Sequence, residues 1–181
     1  ACVSVHGSNR LGTNSLLDIN VFGKRAGVAA ADYAVNAPWV EMPENAAART
    51  VAELEAMRRR PDGERVADLR RELQEAMDKG AQVFRTHESL TETLDVIKDL
   101  QERFSHVSVQ DKGRLFNTDL LEAIELGFLI DLAEVVVLGA LDRKEARGGH
   151  FREDFPDRDD AAYMAHTMAY RRVSTAEAAD A

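Results

Sequence analysis

The residue types most able to do chemistry gather near the start of the chain, in His6-Gly7-Ser8-Asn9-Arg10-Leu11-Gly12-Thr13-Asn14-Ser15-Leu16-Leu17. Val3 and Val5 alternate with polar neighbours as a short strand, Gly7, Asn9 and Gly12 mark a loop, and helical spacing begins at Asn14. A strand, a glycine-bearing loop and a helix start in that order make an anion-friendly corner. The first-turn N–H groups have no partner inside the helix, and the helix dipole is positive there. Arg10 adds a fixed guanidinium, which can hold a carboxylate through two parallel hydrogen bonds. From the residues alone two readings stand: Arg10 clamps a dicarboxylic acid, or it serves an internal ion pair. No G-x-G-x-x-G run or P-loop accompanies the corner.

The remaining reactive side chains are more scattered. His6 adjoins the loop, with a hydrogen-bonded structural role and a catalytic one as its two readings. His87, His106, His150 and His166 show no ligand spacing among themselves, so a metal is not expected from them. Cys2, the single cysteine, cannot form an internal disulfide; it reads as a small buried hydrophobe in a reducing compartment. Between residues 142 and 160, Arg143, Lys144, Arg147, Arg152 and Arg158 interleave with Asp142, Glu145, Glu153, Asp154, Asp157, Asp159 and Asp160. That pattern predicts a charge network joining parts of the fold, with an anion or metal site as the sharper alternative.

These residues need elements to hold them. The helix from Asn14 is dense in Leu16, Leu17, Ile19, Val21 and Phe22, and Gly23 and Gly27 lie one turn apart on one face, which predicts close approach of another backbone. Pro38, Trp39 and Pro43 mark a connector. Thr50-Val51-Ala52-Glu53 reads as a capping box opening a helix to about Arg60, and Pro61-Asp62-Gly63 as a turn. Val66, Leu69, Leu73, Ala76 and Met77 then recur at helical spacing until Gly80. Val83 and Phe84 form a short extended link. A second capping box, Ser89-Leu90-Thr91-Glu92, opens a helix with Leu90, Leu94, Ile97, Leu100 and Phe104 on one face. The stretch from Leu120 to Leu141 is apolar nearly all round, as expected of the buried middle member of a bundle, and a further strand region is expected near Met168 to Val173. The runs Arg58-Arg59-Arg60 and Arg70-Arg71-Glu72 read as solvated helix faces.

Composition bounds the function. The 181 residues are 45% hydrophobic and carry a formal charge of −9, which suits a soluble globular domain and argues against a nucleic-acid partner. Glu122, Glu125, Asp131 and Glu134 interrupt the longest apolar stretch too often for a bilayer span. No secretory signal opens the chain, which starts at Ala1 as if a strand were entered halfway and reads as a fragment of a longer protein.

The run from Ala1 to Asp18 closely resembles a signature of the succinate dehydrogenase and fumarate reductase flavoprotein family, with Ser8 where the family commonly has alanine and Thr13 where it often has glycine. Val107-Ser108-Val109-Gln110-Asp111-Lys112-Gly113, Phe116-Asn117-Thr118-Asp119-Leu120, Arg143-Lys144-Glu145-Ala146-Arg147-Gly148-Gly149-His150, Arg152-Glu153-Asp154-Phe155-Pro156 and Arg158-Asp159-Asp160 resemble its helical domain, Ala146 standing where serine is common. The resemblance implies a mainly α fragment: the strand–loop–helix remnant of an FAD-binding α/β domain over residues 1–37, a linker at 38–46, a helical bundle at 47–147, and a charged segment leading into the C-terminal region at 148–181. It implies that Arg10 binds a carboxylate of succinate or fumarate and that the backbone of Ser15 and Leu16 contacts the flavin ring of FAD. The family's dinucleotide-binding glycines, flavin-linking histidine, proton-transfer arginine and other substrate residues have no counterpart here, so no catalytic residue is assigned.

The activity implied is succinate oxidation to fumarate. An iron–sulfur subunit and membrane-anchor subunits would be the partners, and the location the cytoplasm, peripheral on the inner face of the cell membrane. The 142–160 network would then tie bundle to flavin domain. Fumarate reductase and L-aspartate oxidase share the Asn-Arg-Leu and Asn-Ser-Leu-Leu words and are the alternatives within this chemistry; a non-catalytic helical adaptor is the alternative outside it.

Overall fold

The computed structural model describes residues 12–170, and among them the architecture is helical: α1 (Asn14–Asn36), α2 (Ala48–Arg59), α3 (Val66–Gly80), α4 (His87–Phe104), α5 (Thr118–Asp142) and the single turn α6 (Asp160–Tyr163). The expected strand at Val3 and Val5 lies outside the described residues. Of the strand region expected from Met168, residues 168–170 carry no strand and the rest lies outside the description. Extended pairing among the described residues is confined to isolated bridges, one joining Arg85 to Arg152 and so tying the α3–α4 link to the charged segment. No helix of the described residues is long and apolar enough to cross a membrane.

The core is the junction of α3, α4 and α5. Leu69 and Leu73 of α3, Leu90, Ile97 and Leu100 of α4, and Leu126, Ile130 and Val137 of α5 are buried together, with Val107 and Val109 closing one end. The buried α5 positions, Ala123, Leu126, Ile130, Ala133, Val137 and Ala140, recur every three or four residues, which is one stripe of a helix. Its other side is open: Phe128 is 63% and Leu132 61% exposed. The expectation of burial all round therefore fails among the described residues, because α3 and α4 cover one side and α2 only touches α5.

Helix starts differ from the sequence reading at two places. The Thr50–Glu53 box does not form; α2 begins at Ala48 with no side-chain cap, and Glu53 pairs instead with Arg49 at 2.9 Å, one turn back. In α4 the cap is Thr86. Its hydroxyl accepts from the Ser89 N–H at 3.1 Å while the Ser89 hydroxyl accepts from the Thr86 N–H at 3.1 Å, so Ser89 is the third residue of the box and not its first. The Ser89 hydroxyl also donates to the Gly80 carbonyl at 3.1 Å, which joins the end of α3 to the start of α4. A Cβ at Gly80 would lie 2.0 Å from Thr93 Oγ1 and 2.6 Å from the Ser89 carbonyl oxygen, so this close turn needs glycine.

The charged runs are not simply solvated. Arg58 donates to the Lys112 carbonyl at 2.6 Å, Arg60 to the Val107 carbonyl at 2.5 Å and Arg70 to the Glu122 carbonyl at 3.0 Å, while Glu72 accepts from Arg103 at 2.6 Å. Long arginines reach neighbouring elements, a use that charge patterning along one helix does not reveal. Arg59 and Arg71 do remain exposed.

Candidate functional site

The first corner is the start of α1. Gly12 and Thr13 have positive φ, 32° and 55°, and Thr13 occupies the N-cap position without a side-chain hydrogen bond. No acidic residue lies in the first turn. Ser15 is half-buried, and Leu16 is 59% exposed. The first-turn backbone therefore keeps donor capacity and positive dipole character that no capping side chain neutralises. A flavin gains negative charge near N1 and O2 on reduction, so an uncapped helix start without a carboxylate suits the group that the sequence implies. Arg10 and His6 lie outside the described residues, as does Cys2.

The helix behind this corner has no buried residue and packs against none of the other described helices. Gly23 and Gly27 have open space where a Cβ would stand, so the close backbone approach expected at them is not made within the described residues.

The second constellation is the charged segment. Glu145 is fully buried and accepts from Arg143 at 2.5 Å, from Arg147 at 2.6 and 3.0 Å, and from the Asp159 N–H at 2.8 Å. These donors, Arg147 first, hold its carboxyl down at about 2. Arg152, also fully buried, makes a bidentate pair with Asp154 at 2.8 and 2.7 Å, donates to the Ala140 carbonyl at 2.7 Å, and lies 5.1 Å from the Phe155 ring centre. The Arg152 guanidinium lowers Asp154 to about 2, and Asp154 in turn accepts from the His87 N–H at 2.8 Å at the start of α4.

His150 is held from both sides. Arg85 lies 2.9 Å from its Nδ1, and a guanidinium can only donate; the Arg143 carbonyl lies 3.0 Å from Nε2 and can only accept. The ring is therefore neutral with its proton on Nε2. Burial, followed by the charges of Arg85, Arg152 and Arg143, pushes its pKa down despite the favourable carbonyl bond. The network thus ties residues 143–160 to the end of α5, the α3–α4 link and the start of α4; none of these bonds reaches α1. It borders a cavity of about 880 Å³ along the C-terminal half of α5, whose lining includes Arg85, Arg143, His150, Asp131, Glu134 and Asp142 beside the apolar α5 residues Val135, Val136 and Leu138. A lining that carries both signs of charge does not single out an anion, and no metal-binding group of three or more His, Cys, Asp or Glu occurs among the described residues. Sequence reading missed Arg85 and Arg103, the latter gripping Glu64, Glu72 and Asp99 at once. No local spacing signals either role, since the partners are remote in sequence.

With this geometry in view, relatives are informative. Residues 70–179 match the family model described as fumarate reductase flavoprotein C-term. The chain is 42% identical over 178 residues to the fumarate reductase flavoprotein subunit of Mycobacterium tuberculosis (94% of this chain, 30% of that protein). It is 44% identical over 170 residues to the succinate dehydrogenase flavoprotein subunit of Rickettsia bellii (93% of this chain, 28% of that protein). A solved quinol-fumarate reductase with menaquinol molecules superposes with a TM-score of 0.80 at 39% identity, over 87% of this chain and 28% of that one. The chain thus spans about 30% of the length of the curated relatives it matches. Identity at this level over nearly every residue, in order, together with a shared fold, means that the chain belongs to the succinate dehydrogenase and fumarate reductase flavoprotein family.

Proposed function

We propose that this chain is the part of a flavoprotein subunit that supplies the substrate clamp and the flavin-facing helix start for oxidation of succinate to fumarate. The observation that carries the reading is the uncapped, acid-free start of α1 directly after the Asn9-Arg10-Leu11 run, in a chain about 40% identical to both dehydrogenase and reductase subunits. When bound, FAD supplies a two-electron acceptor. The chain's own share is positioning. Arg10 fixes one carboxylate of the dicarboxylic acid through a planar fork, and the Ser15 and Leu16 N–H groups lie toward the flavin edge that becomes negative. On this reading an iron–sulfur subunit takes the electrons onward, membrane-anchor subunits hold the assembly at the inner face of the membrane, and this chain lies in the cytoplasm.

The test uses the complete subunit carrying Arg10→Lys, which keeps the charge and loses the fork. Loss of a partner from a desolvated charge pair costs about 2–5 kcal/mol, so succinate oxidation per bound flavin falls by at least tens-fold at normal flavin content, and malonate inhibition weakens with it. Fumarate reduction measured beside it reads the same carboxylate clamp from the product side. Unchanged turnover per flavin together with unchanged malonate affinity would remove Arg10 from the substrate site.

A further inference from the structure

The open side of α5 is not bare along its whole length. Beyond α6 the chain passes back over the C-terminal end of α5, and Arg143 holds it there. Its guanidinium donates to the Tyr163 and Ala165 carbonyls at 3.0 and 2.5 Å and to the Thr167 hydroxyl at 3.3 Å, and it lies 5.5 Å from the Tyr163 ring centre. The Tyr163 hydroxyl donates to the Asp142 carbonyl at 3.3 Å. Thr167 lies over Gly139, where an added Cβ would stand 3.8 Å from its methyl group. Residues 167–170 then line the cavity together with Val135, Glu134 and Asp131. The contact on α5 thus steps from Asp142 to Gly139 as the chain advances from Tyr163 to Thr167. This run travels against the direction of the helix, toward Asp131.

Ahead of it the apolar stripe continues. Val135, Leu132 and Phe128 follow one another at helical spacing and are 46%, 61% and 63% exposed, with Asp131 exposed beside Leu132. α5 carries Asp119, Glu122, Glu125, Asp131, Glu134 and Asp142 and neither lysine nor arginine, while the residues that follow Tyr170 are Arg171, Arg172 and Val173. Residues 166–170 contain no helix, turn or bend. An extended chain advances about 3.3 Å per residue and alternates its side chains between two faces, whereas a helix rises about 1.5 Å per residue. Four residues beyond Thr167 therefore cover about 13 Å, the rise of about nine residues of α5 counted back from Gly139. Position 171 shares a face with Thr167 and arrives beside Asp131; position 173, on the same face, arrives at the turn of α5 that holds Phe128.

We propose that the Arg171-Arg172-Val173 run occupies this stripe: Arg171 pairs with Asp131, Val173 covers Phe128 and Leu132, Arg172 faces water, and the cavity beside Arg143 is closed by the chain's own C-terminal segment. Arg143 and Arg171 would then pin the segment at its two ends, each through a fork that matches oxygen acceptors. The short tether from Tyr170 keeps this occupant at high effective concentration over the stripe. Nothing in it depends on the flavin reading, since every residue involved belongs to this chain.

Cysteine pairs in the 181-residue chain carrying Cys2→Ser test the placement, joined by a short dimaleimide and read as linked peptides by mass spectrometry. With no other part of a subunit present, only this chain can supply the occupant. Asp131→Cys with Arg171→Cys should link within one chain at least about tenfold faster than either of two control pairs. One control is Asp131→Cys with Arg172→Cys, on the opposite face; the other is Glu122→Cys with Arg171→Cys, nine residues earlier on α5. Equal rates for all the pairs overturn the proposal, as does a faster control. Linkage chiefly between two copies overturns it too, because a second chain would then hold the stripe. Limited trypsin digestion reads the charge pair itself. Asp131→Lys should speed cleavage after Arg172 at least about fivefold, and Asp131→Lys with Arg171→Glu should restore the slow rate. Cleavage indifferent to Asp131→Lys would remove the pairing of Arg171 with Asp131.

Discussion

His150 shows how a single side chain can be fixed by the chemistry of its neighbours. A donor-only guanidinium on Nδ1 and an acceptor-only carbonyl on Nε2 leave one tautomer and one charge state, and protonation would place a new cation against Arg85. Its folded pKa lies below the ordinary 6.5, so the unfolded chain binds the proton more readily. The stability this neutral ring confers is complete above pH 6.5 and is lost as pH falls below it toward the folded value. We expect urea stability of the wild-type chain to decline between about pH 7.5 and about pH 5.5, and His150→Asn to remove a good part of that slope. Parallel slopes in the two proteins would show that His150 does not set this dependence. The carboxylates do not confuse the measurement. Asp154, lowered from 3.8 to about 2, contributes stability that is present above 3.8 and lost as pH falls from there to 2, which is well below the His150 window.

At the scale of elements, the glycines divide by what surrounds them. At Gly80 a Cβ would collide with the Ser89 carbonyl and the Thr93 hydroxyl; at Gly23 it would meet nothing within 4 Å. Gly80→Ala should therefore cost the bundle about 1–3 kcal/mol by overpacking. Gly23→Ala should raise the helicity of α1 by the roughly 1 kcal/mol that separates the two residues in a helix interior, without moving the bundle's melting temperature. Circular dichroism through thermal denaturation reads both, and the same sign for the two variants would contradict this assignment of space. In the complete subunit we expect Gly23→Leu and Gly27→Leu to reverse sign and disrupt assembly, because the open face of α1 would then have its neighbour. The two glycine positions also mark where the sequence was legible and where it was not. Periodicity found α3 and α4 and their buried faces from Leu69, Leu73, Leu90 and Ile97, because burial on one side writes itself into the spacing. The true cap of α4, Thr86, was hidden, since Ser-x-x-Glu and Thr-x-x-Ser both fit helix starts and only the reciprocal bonds between Thr86 and Ser89 select between them. For α5 the composition was misleading in a different way: a helix apolar all round looks the same whether its neighbours are present or lie in the rest of the polypeptide.

On the scale of the whole molecule, the described residues divide into a packed assembly of α3, α4 and α5, with α2 against it, and a solitary α1. The motif that identified the candidate site lies next to a helix that packs against no other described helix, and the two fully buried charged residues, Glu145 and Arg152, serve architecture. That division was only partly readable beforehand, because the Asn14 to Phe22 run announces a helix while nothing in its spacing says whether its partner is within reach. Most helical stability in proteins comes from packing of an apolar face, which α1 lacks among the described residues, and its two interior glycines weaken it further. Hydrogen exchange of the 181-residue chain should therefore show protection concentrated in α3, α4 and α5, rising toward the global unfolding free energy at Leu69, Ile97 and Ile130, while amides of α1 exchange orders of magnitude faster. In the complete subunit α1 should join the protected set, since its apolar face and its glycines would be covered. If α1 in the 181-residue chain exchanges as slowly as α4, it is packed in solution against part of this same chain. The open space at Gly23 and Gly27 would then be occupied without the rest of the subunit, and their role would have to be sought within these residues.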